Sequence, residues 1–410
     1  MNKKISAFML LSAMIATSAY AQKTFDVTVT NKFKTAKTNE PVVIELKDFG
    51  FDVKSALVKN NGQEIACQLD DLDQDGVFDE LCFMTDVDKK SSKTFNVTLY
   101  DEGTPRVYDS KVYAELMLIN RKVKISNQQD LYISQLTVEK GTNPYQAVHH
   151  HGVAFENELL AMRVYFDHRQ TVDLYGKQHK GLELKATQFY PSKEQKEAGY
   201  GDDVLWVGTS FGLGALRGWD GNAQTMLNDV DYRTQRIISK GPVRAIVEIE
   251  DKGWTPQPGQ KKITMKTFYT IYAGKRECSV DVKFNKNASD YLFATGLVNV
   301  KNSTEYSDKK GVRGCWGADW TVAPKDTAGR KKETVGLGIY VPIEYIVSEE
   351  KANKDDYAYV VKTNGDELHY KITYCSDNED FGYHNEKDWF AFLEDWKKDI
   401  QQPLEVKIVK

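Results

Sequence analysis

Apolar and polar residues alternate with a period of two in run after run of this chain: Phe25 to Thr30, Val42 to Leu46, Phe95 to Leu99, Ala245 to Ile249, Ile263 to Tyr272 and Ser279 to Phe284. Successive side chains switch faces in this way only along an extended strand, so each run predicts a strand with one buried face. Gly, Asn, Asp and Pro clusters separate the runs at short spacing, which suits tight antiparallel connections rather than helical crossovers. The expected fold is therefore mainly β, with antiparallel sheets packed as sandwiches. At 410 residues, of which 41% are hydrophobic, the chain can bury two cores. Residues 22–105 are expected to form a small N-terminal β-sandwich and residues 106–410 a larger antiparallel one, with Asp101 to Pro105 as the seam. There is no internal repeat and no low-complexity tract.

One helix interrupts this pattern. Asn385 can cap a segment in which Trp389, Phe392, Leu393, Trp396 and Ile400 recur at helical spacing, and Pro403 ends it. An amphipathic helix packed on the second sandwich is expected there, followed by a last strand from Leu404 to Val409.

Residues 1–21 read as a cleavable signal peptide: Lys3 and Lys4 precede an apolar run from Phe8 to Ala16, and Ala19-Tyr20-Ala21 forms the cleavage signature. No cysteine follows the cut, and no later apolar run is long enough for a membrane helix. A periplasmic protein without membrane insertion is expected, with secretion as the alternative. Loss of Lys3 and Lys4 leaves 53 basic against 59 acidic residues and no dense basic patch, which argues against nucleic acid as a partner. Five cysteines are an odd number for an oxidising compartment. Cys67 and Cys82 flank a loop, but if Ile65, Leu69, Leu81 and Phe83 face the core, Cys67 points inward and Cys82 outward, against a disulfide between them.

The sharpest local motif runs from Asp71 to Asp79. Asp71, Asp73, Asp75 and Asp79 place carboxylates at alternate positions, Gly76 permits a sharp turn, and the Val77 carbonyl adds a further oxygen. Calcium is the expected ion. Cys82 stands where an EF-hand would need Glu, so the loop is of the shorter kind found in extracellular β proteins. A solvated acidic turn is the plainer alternative.

Five of the seven histidines fall between His149 and His179. In an extended segment, His149 and His151 would share one face and His150 take the other. Two such imidazoles can ligate a metal, act as a base at neutral pH, or only hydrogen-bond. Glu156 and Glu158 share a face of the next strand and can form an acid/base pair. A hairpin follows, in which Arg163, Tyr165 and Asp167 alternate with apolar residues on one strand and Asp173, Tyr175 and Lys177 on the next. One register opposes Arg163 to Lys177 and Asp167 to Asp173, both repulsive; a shift of two opposes Arg169 to Asp173 and Tyr165 to Lys177, which electrostatics favours. An amphipathic hairpin with one wet face is the alternative to a site. Glycine-framed clusters carry further candidates for ligand contact: Tyr200 and Asp202, then Arg217, Trp219 and Asp220, then Arg313, Trp316 and Trp320. Tryptophan faces stack on the C–H faces of sugars, while Asp and Arg hydrogen-bond hydroxyls or carboxylates.

The segments HHHGVAFENELLAMRVYFD, VDLYGK, GYGDDVLWVGTSFGLGALRGWDG and GPVRAIVEIED, together with QLDDLDQDGVFDELCF, resemble a family of exported bacterial proteins that accompany the breakdown of pectin and other uronate polysaccharides. The resemblance covers nearly the whole mature chain. It implies a carbohydrate-active role, with an oligosaccharide as ligand and no organic cofactor, and a second unit similar to the supersandwich of galactose mutarotases and polysaccharide lyases. A lyase, hydrolase or mutarotase-like enzyme acting on uronic-acid oligosaccharides is the expected function, and a non-catalytic carbohydrate-binding protein the alternative. An eliminase needs a cation for the substrate carboxylate, a base for the C5 proton and an acid for the leaving oxygen. Arg163, Arg217 or Arg313 are the candidate cations. His149, His151 or Tyr165 are the candidate bases and Tyr175 or Tyr200 the candidate acids, with Lys177 and Asp173 beside them.

Overall fold

The computed structural model describes residues 21–257 and 259–409. The leader expected at 1–21 therefore lies outside the described residues except for Ala21. The chain is mainly β and its strand pairs are antiparallel.

The first unit pairs a five-stranded sheet with a three-stranded one. In the larger sheet, Gln22–Asn31 lies between Ser91–Tyr100 and the C-terminal strand Glu405–Val409; in the smaller, Glu80–Val87 lies between Lys37–Glu45 and Cys67–Asp70. The period-two pattern places Phe25, Val27, Val29, Val42, Ile44, Leu81, Phe83, Phe95, Val97 and Leu99 in one core. Each such side chain, fully buried, contributes about 1.5–3 kcal/mol. The last strand pairs with Gln22–Asn31, Val409 opposite Asp26, so the chain ends in the sheet of the first unit.

Cys67 opposes Phe83 and Cys82 opposes Gln68, so the two thiols face opposite ways as parity requires. All five cysteines are unpaired and buried. The outward face of the small sheet does not meet water. Arg244 of the second unit reaches Asp70 and Glu80, each at 2.7 Å, and Gln68 donates to Ser239 at 2.6 Å.

The second unit sets a nine-stranded sheet against a five-stranded sheet of order Asp202–Asp203, Val172–Gly176, Ala161–Tyr165, Gly152–Asn157 and Val112–Glu115. Val153, Phe155, Met162, Val164, Val172 and Leu174 cover one face of the smaller sheet and join Val247, Ile249, Met265, Ile271 and Val280 in a common core. The opposite face carries the polar residues.

The C-terminal helix spans Glu386–Ile400, with the Asn385 side chain capping the Asp388 amide. It buries Trp389, Leu393 and Trp396. A Cβ on Gly336 would lie 2.7 Å from the Trp389 ring, and one on Gly314 2.4 Å from Leu393. Gly314 thus lets the helix approach the sheet. Among the described residues no helix is long and apolar enough to cross a membrane.

Candidate functional site

The hairpin register differs from both alternatives read from charge. Arg163 stands directly opposite Asp173, and Ala161 opposite Tyr175. The turn is centred earlier in the chain than either reading placed it: Tyr165 N–H donates to Thr171 C=O, and Gln170 takes a left-handed conformation with φ 45°. Opposite charges thereby meet across the strands, and the repulsion that disqualified the first register never arises.

The polar face is not wet. Arg163, Tyr165, Asp173, Tyr175 and Lys177 are all buried. The segment after Lys177 folds back over them, bringing Leu184 and Phe189 against Tyr175. The Lys177 ammonium pairs with the Glu156 carboxylate, whose oxygens also accept from the Glu183 and Leu184 amides at 2.7–2.9 Å. Those two residues thus anchor the covering segment.

Arg163 organises the centre of this face. Its Nε and Nη2 donate to Asp173 Oδ2 at 2.9 and 2.6 Å, Nη2 also to Asp203 Oδ2 at 3.0 Å, and Nη1 to Tyr190 Oη at 3.0 Å and the His150 carbonyl at 3.4 Å. The Tyr165 hydroxyl donates to the same Asp173 oxygen at 2.7 Å. The guanidinium lies 4.0 Å from the Phe189 ring centre. Burial, followed by the Asp173 charge, holds the Asp203 carboxyl well above the usual carboxylate range, with Arg163 opposing. A carboxyl raised in this way favours its neutral form and can serve as a proton donor.

The histidine triplet is not extended. His149–His151 form a 3-10 turn in which His150 has φ 39° and His151 φ 71°. Two consecutive left-handed non-glycine residues cost on the order of 1–3 kcal/mol each and persist only where surrounding contacts hold them. The shared face expected for His149 and His151 is therefore lost. His149 and His150 are buried and His151 is half-buried. His151 Nδ1 lies 2.9 Å from the Tyr145 carbonyl, which can only accept, so Nδ1 carries the proton and Nε2 keeps its lone pair. Burial lowers the His151 pKa, leaving the ring neutral at pH 7. The ring stacks on Tyr145 at 3.9 Å, and Arg169, ion-paired with Asp167 at 2.6 Å, lies 4.6 Å from the Tyr145 ring and 4.9 Å from the Tyr165 ring. His150 Nε2 meets Glu115 Oε1 at 3.1 Å, and burial pushes the Glu115 carboxyl up to about 8. His149 is pushed down to about 3 by burial and by His150.

The other expected residues lie apart from this cluster. Tyr200 is half-buried, with its carbonyl accepting from Gln178, and Asp202 pairs with Lys196. Arg217 is fully buried and donates to the carbonyls of Arg169, Thr209 and Ser210, so it holds loops rather than meeting solvent. Asp220 caps its own turn through the Asn222 and Ala223 amides. Arg313, also buried, donates to Glu305 and the Ala358 carbonyl, and Trp316 packs with the C-terminal helix. Neither shares a partner with Arg163.

Glu115, Tyr145, Arg169, Tyr190 and Asp203 were not singled out as site residues. Arg169 and Asp203 lay next to chosen residues. Glu115 carries no local signal, because its partner His150 is 35 positions away.

In the acidic loop, side-chain oxygens of Asp71, Asp73 and Asp79 lie within 4.8 Å of one another, the only such group of three metal-ligating side chains among the described residues. Asp75 stands outside it and accepts from the Val77 amide at 2.8 Å. Among the described residues, no group of three metal-ligating side chains includes a histidine of the triplet.

These features define a two-unit antiparallel β-sandwich protein whose larger unit buries a charged Arg–Asp–Tyr cluster on one sheet face beside a neutral histidine. The chain belongs to the family described as Domain of unknown function (DUF4861), which its residues 29–406 match. It is 23% identical over 408 residues to Uncharacterized protein P7 of Formosa agariphila, with 93% of each chain covered. Similar solved structures include a protein in glycosyl hydrolase family 38 from Enterococcus faecalis, at TM-score 0.48 and 10% identity, and an α-mannosidase from Enterococcus faecalis V583, at 0.47 and 10%. Each likeness covers 94% of this chain but only 47% and 46% of the other, so the chain spans about half the length of these structures.

Proposed function

We propose that the protein is an exported, periplasmic enzyme that acts on uronic-acid-containing oligosaccharides of the pectin type by acid–base chemistry at the Arg163 cluster. The observation that carries this reading is a neutral His151, with Nε2 left to accept a proton, in the same region as an Asp203 carboxyl that bonds Arg163 at 3.0 Å and whose pKa burial raises well above the usual range. In β-elimination, His151 Nε2 takes the C5 proton, the C4–O bond breaks as the C4–C5 double bond forms, and Asp203 protonates the leaving oxygen. Arg163 has its donors committed to Asp173, Asp203, Tyr190 and the His150 carbonyl, so the half-buried Arg169, paired with Asp167, is assigned as the cation for the substrate carboxylate. The same pair serves hydrolysis or ring opening. The resemblance to uronate-utilisation proteins supports the choice of substrate class.

The test is turnover. Purified protein incubated with pectic, alginate and glycosaminoglycan oligosaccharides should yield unsaturated products, new reducing ends or faster mutarotation, and His151→Ala should abolish the signal while retaining binding. Absence of all three signals across the panel overturns the reading. A non-catalytic sugar-binding role is the second reading, favoured by the internal commitment of the Arg163 donors.

We also propose calcium at the loop of Asp71, Asp73 and Asp79. Three carboxylate oxygens within 4.8 Å suit ligands about 2.3–2.6 Å from one ion. These residues would hold it as a structural ion in the first unit.

A further inference from the structure

We infer that a second saccharide site, separate from the Arg163 cluster, lies over Trp219, and that it takes a neutral pyranose. A cavity of about 390 Å³ opens there, within the usual range for small-ligand sites. Trp219 closes the short strand Arg217–Trp219 and is half-buried, packing on Phe211. It therefore presents a fixed aromatic wall on which the C–H face of a sugar ring can stack.

Polar groups around this wall suit hydroxyls. Asn222 and Asp355 stand exposed at the rim, and Gln224 is half-buried below it. Gln224 is held from both sides: Arg217 Nη1 donates to its Oε1 at 2.6 Å, and its Nε2 donates to Asp356 Oδ2 at 2.6 Å. Asp356 is buried and also accepts from the Phe211 amide at 2.9 Å. The base of the cavity is thus a positioned amide and carboxylate, not a mobile surface.

Charge decides between sugars. The rim offers Lys351 and Lys354 against Glu350 and Asp355, two cations balanced by two anions, with Lys354 and Asp355 3.9 Å apart. Beneath the rim, the buried Asp356 and the buried Arg217, joined through Gln224, add one acid and one cation. A uronate carboxylate would gain nothing from this balance and would face the carboxylates, whereas neutral hydroxyls can donate to them. Arg217, which fixes Gln224, donates through Nε to the Arg169 carbonyl at 3.0 Å, and Arg169 borders Tyr145 and Tyr165. The inference rests on the cavity alone and does not require that His151 perform chemistry.

The experiment titrates the full-length mature protein with methyl galactoside, methyl glucoside, methyl rhamnoside, methyl xyloside and methyl galacturonoside, following tryptophan fluorescence and heat. At least one neutral glycoside should bind more tightly than the galacturonoside, and Trp219→Ala should weaken it by about tenfold or more. Trp219→Phe, which keeps a ring and guards against misfolding, should lose less, and His151→Ala should bind as the wild type does. Failure of every neutral glycoside to bind, tighter binding of the galacturonoside at this cavity, or unchanged affinity in both Trp219 variants would overturn the inference. Loss of turnover in His151→Ala bears only on the acid–base reading, so the two can fail separately.

Discussion

Arg163 and Asp173 stand directly opposite each other on neighbouring strands, and the guanidinium meets one carboxylate oxygen twice, through Nε at 2.9 Å and Nη2 at 2.6 Å. Both side chains are almost fully buried, at 3% and 1% exposure. Removing one partner of such a pair leaves the other as an uncompensated buried charge, which costs about 3–5 kcal/mol. Arg163→Ala should lower stability by that amount, read as a shift in urea midpoint. Asp173→Asn, which keeps the volume and one accepting oxygen, should cost less. Equal midpoints for Arg163→Ala and wild type would show that the pair does not hold the sheet face together.

Calcium bound only by the folded protein would raise stability by about 2.7 kcal/mol at a hundredfold excess over its dissociation constant. The melting temperature should therefore fall on adding EGTA and recover with calcium, and Asp71→Asn or Asp79→Asn should remove the response. Asp75→Asn should remove less of it, because Asp75 lies outside the group of three carboxylates. An EGTA-insensitive melting curve rejects the ion.

The strands were legible because their cause is local: Val27 and Val29 face the core and Thr28 does not, and two-residue periodicity states this directly. The helix was legible for the same reason, through Asn385 and the spacing of Trp389, Leu393 and Trp396. The site was only half legible. Arg163, Tyr165 and Asp173 share a face by parity, but the register that joins Arg163 to Asp173 depends on a turn with Gln170 at φ 45°. The histidines misled because His150 and His151 adopt left-handed conformations, uncommon for any non-glycine residue, in which they meet Glu115 and the Tyr145 carbonyl. Arg217 and Arg313 read as ligand cations but satisfy buried carbonyls, a role set entirely by the tertiary fold.

Glu115 makes stability depend on pH. Its carboxyl is raised by burial from 4.5 to about 8, so the folded state keeps a proton that the unfolded chain releases. This contribution is fully present below pH 4.5 and is lost as pH rises through 8. Each unit of pKa difference is worth about 1.4 kcal/mol, so Glu115→Gln, neutral at every pH, should gain a few kcal/mol on wild type between pH 5 and 8. Urea titrations of both proteins at the two pH values check the sign. A difference that does not widen with pH would mean that Glu115 is already ionised in the fold.

The activity profile tests the proposed roles of His151 and Asp203 together. His151 must be neutral to accept a proton, and burial lowers its pKa from 6.5, so the acid limb of kcat/KM should lie below pH 6.5. Asp203 must be protonated to donate, and its pKa is well above the usual 3.8, so the basic limb should report its ionisation. Activity is therefore highest where His151 is neutral and Asp203 protonated, and the two limbs give a bell. Asp203→Asn should cost about 10²–10⁴-fold in kcat and remove the basic limb, whereas His151→Ala should cost a similar factor and remove the acid limb. Since Asp203 also touches Arg163, stability and ligand affinity of Asp203→Asn must be measured alongside. A retained bell with lowered kcat would make Asp203 a positioning residue, and leave the proton donor to be found among the groups facing Tyr190.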